Sequence, residues 1–367
     1  MRKINGAQSN KSKITSFGVL VGLVTLLTVQ VSTLAQAQTA TEANSTFKRA
    51  TPLERTPPSY PEDASEEGIE GWVRFSYNIN ENGKVERGDV RLIGSSGVRS
   101  FEAEALIALR SWDYNPATLD GEPVSSGNLT IRLDFSFEEE SQISLEPLRE
   151  DFKERYDIMK QAVTDRNFID ARQYLLELEA VGLRGLEEHR LYHLLLADYA
   201  SATSNRTLKF FALNGIFTQF TKSGEIGMFK TYAFKNMFSA ARRVGDYQKA
   251  IDVFNKLKRS EFNNQLLQEL QPERDRIIEH IANKEPIKFA GITKGNQYWF
   301  RELSYKTVNL VSLQGGIEES IIRCQRGEVE VEFARDRPID IPSDWGKCSL
   351  LIQGDDNTYF TFVETAR

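Results

Sequence analysis

Two stretches of strict alternation bracket a helical segment between residues 69 and 137. They constrain what this chain can fold into more than any other feature. In the first, Ile69, Val73, Phe75, Tyr77 and Ile79 alternate with Glu70, Trp72, Arg74, Ser76 and Asn78. In the second, Leu129, Ile131, Leu133, Phe135 and Phe137 alternate with Thr130, Arg132, Asp134 and Ser136. Successive strand side chains point to opposite faces, so a period of two predicts half-buried strands with one apolar face each. Asn82-Gly83 predicts a type I′ hairpin, whose two central residues need positive φ, and a returning strand over 85–93. Ser100 is the expected N-cap of the following helix, with Glu102 and Glu104 near its positive end. Phe101, Ala105, Ala108, Leu109 and Trp112 share the helix face that would cover the sheet. Pro116 is expected to end the helical stretch, because it lacks an N–H and restricts Asn115. The alternation puts Trp72 beside Arg74 on the polar face. There it reads either as one exposed aromatic stacked on an arginine stem or as part of a contact patch.

The punctuation of this region has its own order. Tyr60-Pro61 is followed by Gly68-Ile69-Glu70-Gly71-Trp72-Val73, Asn82-Gly83, Ser95-Ser96-Gly97, Phe101-Glu102, Ala105-Leu106 and Trp112-Asp113-Tyr114-Asn115-Pro116-Ala117. The set resembles the TonB C-terminal domain, a periplasmic module, over about a fifth of the chain. The resemblance implies a ββαβ fold at residues 52–137. It also implies partners in the cell envelope, namely the TonB-box segments of outer-membrane transporters, and a supporting role in energy-dependent transport. The guest segment would add as a strand beside the last strand of the domain. That docking edge would comprise Asn128, Leu129, Thr130, Ile131, Arg132, Leu133, Asp134, Phe135, Ser136 and Phe137. Further contacts would come from Arg55, Tyr60, Trp72 and Arg74. The chain departs from the family in three ways. Pro57 stands at the family's glutamine-type position, the apolar segment 17–34 contains no histidine, and more than two hundred residues follow the domain. Only about 20 residues separate the apolar segment from Tyr60, a reach of ~70 Å when fully stretched. The alternative reading is a soluble periplasmic adaptor that uses the TonB-like edge and the helices for docking without energy coupling.

The first 37 residues read as an export signal. Arg2, Lys3, Lys11 and Lys13 precede an apolar run at 17–29, and Ala35-Gln36-Ala37 supplies a small-residue cleavage motif. An uncleaved single-span anchor in the inner membrane is the alternative. Either way the body would lie in the periplasm, where disulfides persist. Residues 38–51 read as a polar tether and 138–147 as an acidic linker. The chain has 367 residues and a net charge of -6, which gives no basic footprint for nucleic-acid binding.

From 145 to 285 the apolar spacing becomes helical. Asp165-Arg166-Asn167-Phe168 and Gly245-Asp246-Tyr247 each open a similar run, with Ala171 and Ala250 three residues after the aromatic. The pattern resembles tetratricopeptide-type helix pairs, with a degenerate unit at 186–220 between the two copies, and implies a peptide- or protein-binding surface. Lys230, Lys235, Arg242, Arg243, Lys249, Lys256 and Lys258 crowd the last pair, which suits an acidic partner or a solvated basic face. Residues 286–367 break into short apolar runs at 297–300, 308–313, 317–322, 329–333, 349–352 and 359–363. Such spacing predicts a small all-β sandwich or barrel. The whole is therefore expected to be a multidomain α+β chain of unknown oligomeric state.

Nothing points to catalysis. Glycine-rich phosphate loops, nucleophile elbows and zinc-protease motifs are absent from the sequence, so no enzyme and no cofactor are expected. His189 and His193 have the i, i+4 spacing that can bind zinc, with Glu187 or Glu188 nearby. Without a third ligand at fixed spacing they read as polar residues on a solvated or inter-repeat face, and no metal is expected. Cys324 and Cys348 are expected to form a structural disulfide. It would close a loop of about 25 residues, for which chain entropy gives about 3 kcal/mol. If the signal is cleaved, N-terminal sequencing of the exported protein should begin at or near Gln38. An intact Met1 in the inner membrane would establish the anchor instead.

Overall fold

The central strand of the first module is apolar on one side and polar on the other, yet it is buried along nearly its whole length. The computed structural model describes residues 46–137, 148–219, 227–260, 263–335 and 337–366. The expected signal at 1–37, most of the tether and the linker at 138–147 lie outside the described residues. Ser45–Arg367 forms one compact unit. Among the described residues, no helix is long and apolar enough to cross a membrane.

The first module enters through β1 (Phe47–Lys48), β2 (Thr51–Glu54) and the helical turn α1 (Glu62–Glu66). Then come β3 (Gly71–Ile79), β4 (Arg91–Ser95), α2 (Arg99–Ser111), β5 (Asp113–Asn115), β6 (Ala117–Leu119), β7 (Glu122–Val124) and β8 (Ser126–Phe135). The main sheet has the order β4-β3-β8, all antiparallel, with Val73 opposite Leu133 and Phe75 opposite Ile131. Helix α2 buries Phe101, Ala105, Ala108 and Leu109 against one face, as the pattern predicts. Phe101 stacks on Phe135 with ring centroids 4.2 Å apart. A Cβ at position 71 would stand 2.7 Å from the Phe101 ring, so the crossing needs a glycine there.

Local expectations differ from the structure in four places. Gly83 has φ +75 but Asn82 is not left-handed, so the turn is not type I′. Instead Asn80 Oδ1 accepts from the backbone N–H groups of Asn82 and Lys84 at 3.0 Å each, tightening a longer loop. The returning strand starts only at Arg91, because Arg87–Asp89 forms a 3-10 turn and Val85 makes a single bridge to Ile79. Helix α2 starts at Arg99 behind Val98, which gives no side-chain cap, so Ser100 lies inside the first turn. Pro116 does not end the helix, which stops at Ser111. Residues Asp113–Asn115 instead pair with β2.

The helical module contains α3 (Glu150–Thr164), α4 (Phe168–Val181), α5 (Gly185–Ala202), α6 (Arg206–Gln219), α7 (Gly227–Val244), α8 (Tyr247–Ser260) and α9 (Asn264–Ala282). Helix α3 packs with α4, and α5 to α9 pack each on the next, around Leu178, Leu196, Ala212, Met237, Ala241 and Val253; α5 meets the first pair through α3. The two expected turn signals sit where the chain reverses. Asn167 Oδ1 caps α4 at Asp170 N (3.4 Å), and Asp246 Oδ1 accepts from Lys249 N (3.1 Å) beside Gly245 at φ +80.

The C-terminal module contains β9 (Ile287–Ile292), β10 (Trp299–Glu302), β11 (Thr307–Gln314), β12 (Ile317–Cys324), β13 (Glu328–Glu330), β14 (Ile339–Asp340), β15 (Cys348–Gly354) and β16 (Tyr359–Thr365). Two four-stranded sheets, β10-β15-β12-β13 and β14-β11-β16-β9, enclose Phe289, Val308, Leu310, Ile322, Leu350 and Phe362. Cys324 and Cys348 are register partners in adjacent strands and form the expected disulfide.

The modules are joined by polar contacts that the apolar pattern does not announce. Arg323, on β12, is fully buried against the first module. Its guanidinium donates to Ser76 Oγ (2.9 Å), Asp89 O (2.6 Å) and Glu328 Oε2 (2.5 Å), and Glu328 also accepts from Asn78 Nδ2 (2.8 Å). Removing one member of a buried pair strands the other charge, at a cost of about 3–5 kcal/mol. Arg323→Ala should therefore lower unfolding stability by about that amount in urea titration. Arg91→Ala breaks the half-buried pair with Glu319 (3.3 Å) and should cost no more than ~1 kcal/mol. Equal effects at the two sites would show that Arg323 is not a clamp.

Candidate functional edge and joint

Backbone direction along β8 follows from its neighbour. Trp72 O accepts from Ser96 N (3.0 Å) and Trp72 N donates to Ser96 Oγ (3.1 Å), so the polar backbone of Trp72 faces β4. N–H and C=O groups alternate sides along a strand. Val73, Phe75 and Tyr77 thus face β8 and pair with Leu133, Ile131 and Leu129. The backbone groups of Thr130, Arg132 and Asp134 consequently point away from the sheet, and among the described residues no strand pairs with them. Their side chains share the face of Trp72, Arg74 and Ser76, whereas Leu129, Ile131 and Leu133 pack on the α2 side.

The ten residues expected to form the edge do not behave alike. Asn128 adopts φ +60 and donates from Nδ2 to Lys347 O (3.3 Å), while Gly127 N donates to Gln325 O (3.1 Å). The start of β8 is therefore docked on the C-terminal module. Ser136 and Phe137 follow the strand; Phe137 N donates to Glu70 Oε1 (2.8 Å) and its ring lies 4.9 Å from Tyr60. That leaves Leu129, Thr130, Ile131, Arg132, Leu133, Asp134 and Phe135 along the edge.

The other four contact residues are spread over the module. Arg55 lies over the rings of Trp112 (5.0 Å) and Tyr114 (5.5 Å). Tyr60 donates to Ile69 O (2.5 Å) and meets Phe101 edge-on. Trp72 is only 4% exposed, contrary to either reading of it as a surface aromatic. It lies beneath the Arg132 guanidinium (4.7 Å) and edge-on to His189 (5.6 Å). Arg74 lies over Phe300 (5.4 Å) and is half-buried. The polar face of β3 is polar but not solvated, because the other two modules cover it.

His189 and His193 mark that covering. Their rings lie 4.3 Å apart, tilted by 50°, on the buried side of α5, and the His193 ring lies 5.5 Å from Phe211. Neither lies on a solvated face. The carboxylates next to them in sequence are engaged elsewhere: Glu188 takes the Arg149 guanidinium (2.7 Å) and Glu187 pairs with Arg190. Among the described residues, no group of three or more His, Cys, Asp or Glu side chains is placed to hold a metal ion. Burial pushes the His189 pKa down to about 3, aided by Arg132 and opposed by a hydrogen bond with the Ser95 backbone. Burial also holds His193 well below its usual range, with His189 and Lys294 acting the same way. Trp72 Nε1 and His193 Nδ1 have no hydrogen-bond partner among the described residues, so this joint is polar and incompletely satisfied. Beside it, a cavity of about 1230 Å³ opens between the sheet, the helices and the β9–β10 segment; its lining includes Arg74, His193, Lys249 and Phe300.

Comparison with known proteins bears on the first module alone. Residues 56–137 match the family described as Gram-negative bacterial TonB protein C-terminal. The chain is 35% identical over 68 residues to Protein TonB of Vibrio cholerae serotype O1, covering 18% of this chain and 27% of that protein. It is 34% identical over 88 residues to Protein TonB of Yersinia enterocolitica, covering 23% of this chain and 34% of that protein. The chain thus spans about a third or less of these curated relatives. A solution NMR structure of the Pseudomonas aeruginosa TonB C-terminal domain is 27% identical, covering 25% of this chain and 90% of that one, with a TM-score of 0.22.

The buried histidines carry a pH signature. A base whose folded pKa is depressed stabilises the fold above its unfolded pKa, and that contribution is lost as pH falls toward the folded value. For His189 the window runs from about 6.5 down to about 3. Each such ring contributes a slope of up to about 1.4 kcal/mol per pH unit within its window. The doubly substituted His189→Gln/His193→Gln protein should show a flatter loss of stability between pH 6.5 and 5, measured by urea titration. Parallel profiles would refute neutral burial.

Proposed function

We propose that the first module, residues 52–137, docks an extended segment of an envelope protein by strand addition at β8. The chain is a periplasmic, TonB-like accessory of outer-membrane transport, and TonB-box segments of transporters are its partners. One observation carries this reading: β8 is an edge strand in its sheet, and the backbone groups of Thr130 and Asp134 point to the side on which no described strand pairs with it. Unpaired ladder groups are a ready template for a guest strand. The match of residues 56–137 to the TonB C-terminal family supports a role with outer-membrane transporters. We assign residues 145–285 and 286–367 as a helical docking region and a small disulfide-bonded β-region, with no catalytic step.

A second reading is favoured by the joints. Arg323, Trp72 and His189 tie the module into a larger body, so whatever binds the edge is held against a scaffold. In that reading the protein is an adaptor that docks partners without energy coupling, and a mature N-terminus at Gln38 would support it.

Strand addition depends on backbone groups, and proline removes one. At position 130 it deletes an outward N–H and spares the bonds to β3, a change an edge strand tolerates. Isothermal titration with a TonB-box peptide should show Thr130→Pro weakening binding by about tenfold or more, which is at least ~1.4 kcal/mol. Thr130→Ala should stay within about twofold, a difference of under ~0.5 kcal/mol. Absence of wild-type binding at high-micromolar peptide would remove the transporter reading and leave the adaptor ahead.

A further inference from the structure

Four of the cations that crowd the last helix pair fall into two kinds. Lys235 pairs with Glu269 (2.5 Å) and Arg242 with Glu273 (3.5 Å), so those charges are balanced on the helical surface. Lys249 and Lys256, seven residues apart on α8, are different. They approach the same ring, Phe217, at 5.9 and 5.4 Å. Arg74 reaches the same region from β3 and lies over Phe300. None of Arg74, Lys249 and Lys256 makes an ion pair or a side-chain hydrogen bond with a described residue. Asp252 and Glu302 share the region but lie beyond ion-pair range of all three.

Register ties Arg74 to the edge, and Lys256 lies within electrostatic reach of Arg132 on β8. Arg74 is the register partner of Arg132, one strand in from the open side of β8. A guest strand would lie about 4.8 Å beyond β8, with alternate side chains on the face that carries Arg74 and Arg132. The opposite side chains would extend the apolar row of Leu129, Ile131 and Leu133. Extending this sheet calls for a two-faced guest.

Building on the strand-addition reading, we propose that the guest is an amphipathic acidic strand, apolar toward the α2 side and carboxylate-bearing toward α8, and that Arg74, Lys249 and Lys256 select it. The electrostatics of the free protein agree. Burial, together with Arg74 and Lys256, brings the Lys249 pKa down to about 7 against the pull of Asp246 and Asp252. Burial likewise lowers Arg74, aided by Arg132 and opposed by Glu302 and Asp252. Crowded cations that depress one another are relieved by an arriving anion.

The probes are two blocked heptapeptides, Thr-Glu-Val-Glu-Val-Glu-Thr and its counterpart with glutamine at each glutamate position, titrated calorimetrically into the full chain. The glutamate peptide should bind the wild type about tenfold more tightly than the glutamine peptide, a difference of ~1.4 kcal/mol. That advantage should shrink in high salt and collapse in Lys249→Gln/Lys256→Gln, whose affinity for the glutamine peptide should remain within about twofold of wild type. Lys256→Gln alone, at an exposed site, should give an intermediate loss. Thr130→Pro should weaken both peptides. Equal wild-type binding of the two peptides, with Thr130→Pro still weakening both, would overturn acidic selection and leave strand addition standing. A glutamate advantage that persists in the double variant would also overturn selection by these lysines. Tight glutamate-peptide binding that ignores Thr130→Pro would overturn a strand-borne acidic guest and count against edge docking itself. No binding of either peptide would sink both ideas together.

Discussion

Strand β3 is buried on both faces, and the remaining architecture is organised around meeting that requirement. One face is covered by α2 through Phe101, Ala105 and Leu109, which is ordinary apolar packing. The other face carries Trp72, Arg74, Ser76 and Asn78, and burying those groups needs partners rather than grease. Arg323 supplies one for Ser76, Glu328 one for Asn78, and Arg132 and His189 enclose the Trp72 ring. The helical and C-terminal modules therefore act as the missing layer of a sheet that would be half solvated alone.

Charge burial takes two forms in this molecule. Arg301 and Arg323 are fully enclosed, and each guanidinium is held by an acid and a backbone carbonyl. Arg301 meets Glu364, Gly245 O and the face of Phe289, and Arg323 meets Ser76, Asp89 and Glu328. Such pairs fix how modules sit, because the desolvation cost is offset only in one geometry. Arg74, Lys249 and Lys256 lie where the modules approach without closing, and none of them forms an ion pair with a described residue, although Asp252 acts on all three from a distance. The contrast separates cations that hold the body together from cations available to something outside it.

The open edge of β8 persists because its neighbours stop short of it. The C-terminal module takes Gly127 and Asn128, which shortens the edge and fixes one end, while no described strand pairs with Leu129 to Phe135 on the side away from β3. An edge anchored at one end by a rigid neighbour is preorganised for a guest, since little ordering remains to be done on binding.

Period-two runs, helix spacing and turn residues made the main elements of all three modules legible, but not the short strands β1, β2 and β5 to β7. The starts of α4 at Phe168 and α8 at Tyr247 followed from Asn167 and Gly245-Asp246, and the apolar face of α2 was read residue by residue. The Cys324–Cys348 disulfide was reachable too, because the two cysteines of the chain fall within one small β-region. These features depend on local sterics and on which residues avoid water, both of which are written along the chain. Only the tertiary structure decided that the polar face of β3 is interior, that His189 and His193 are buried, and that Asn128 is docked on Lys347. It also separated the paired lysines and arginines of the helical module from the unpaired ones. A polar pattern says that a group must be hydrogen-bonded or solvated. Whether water or another module satisfies it is a long-range choice, made by contacts such as Arg323 with Ser76, 247 residues apart in sequence.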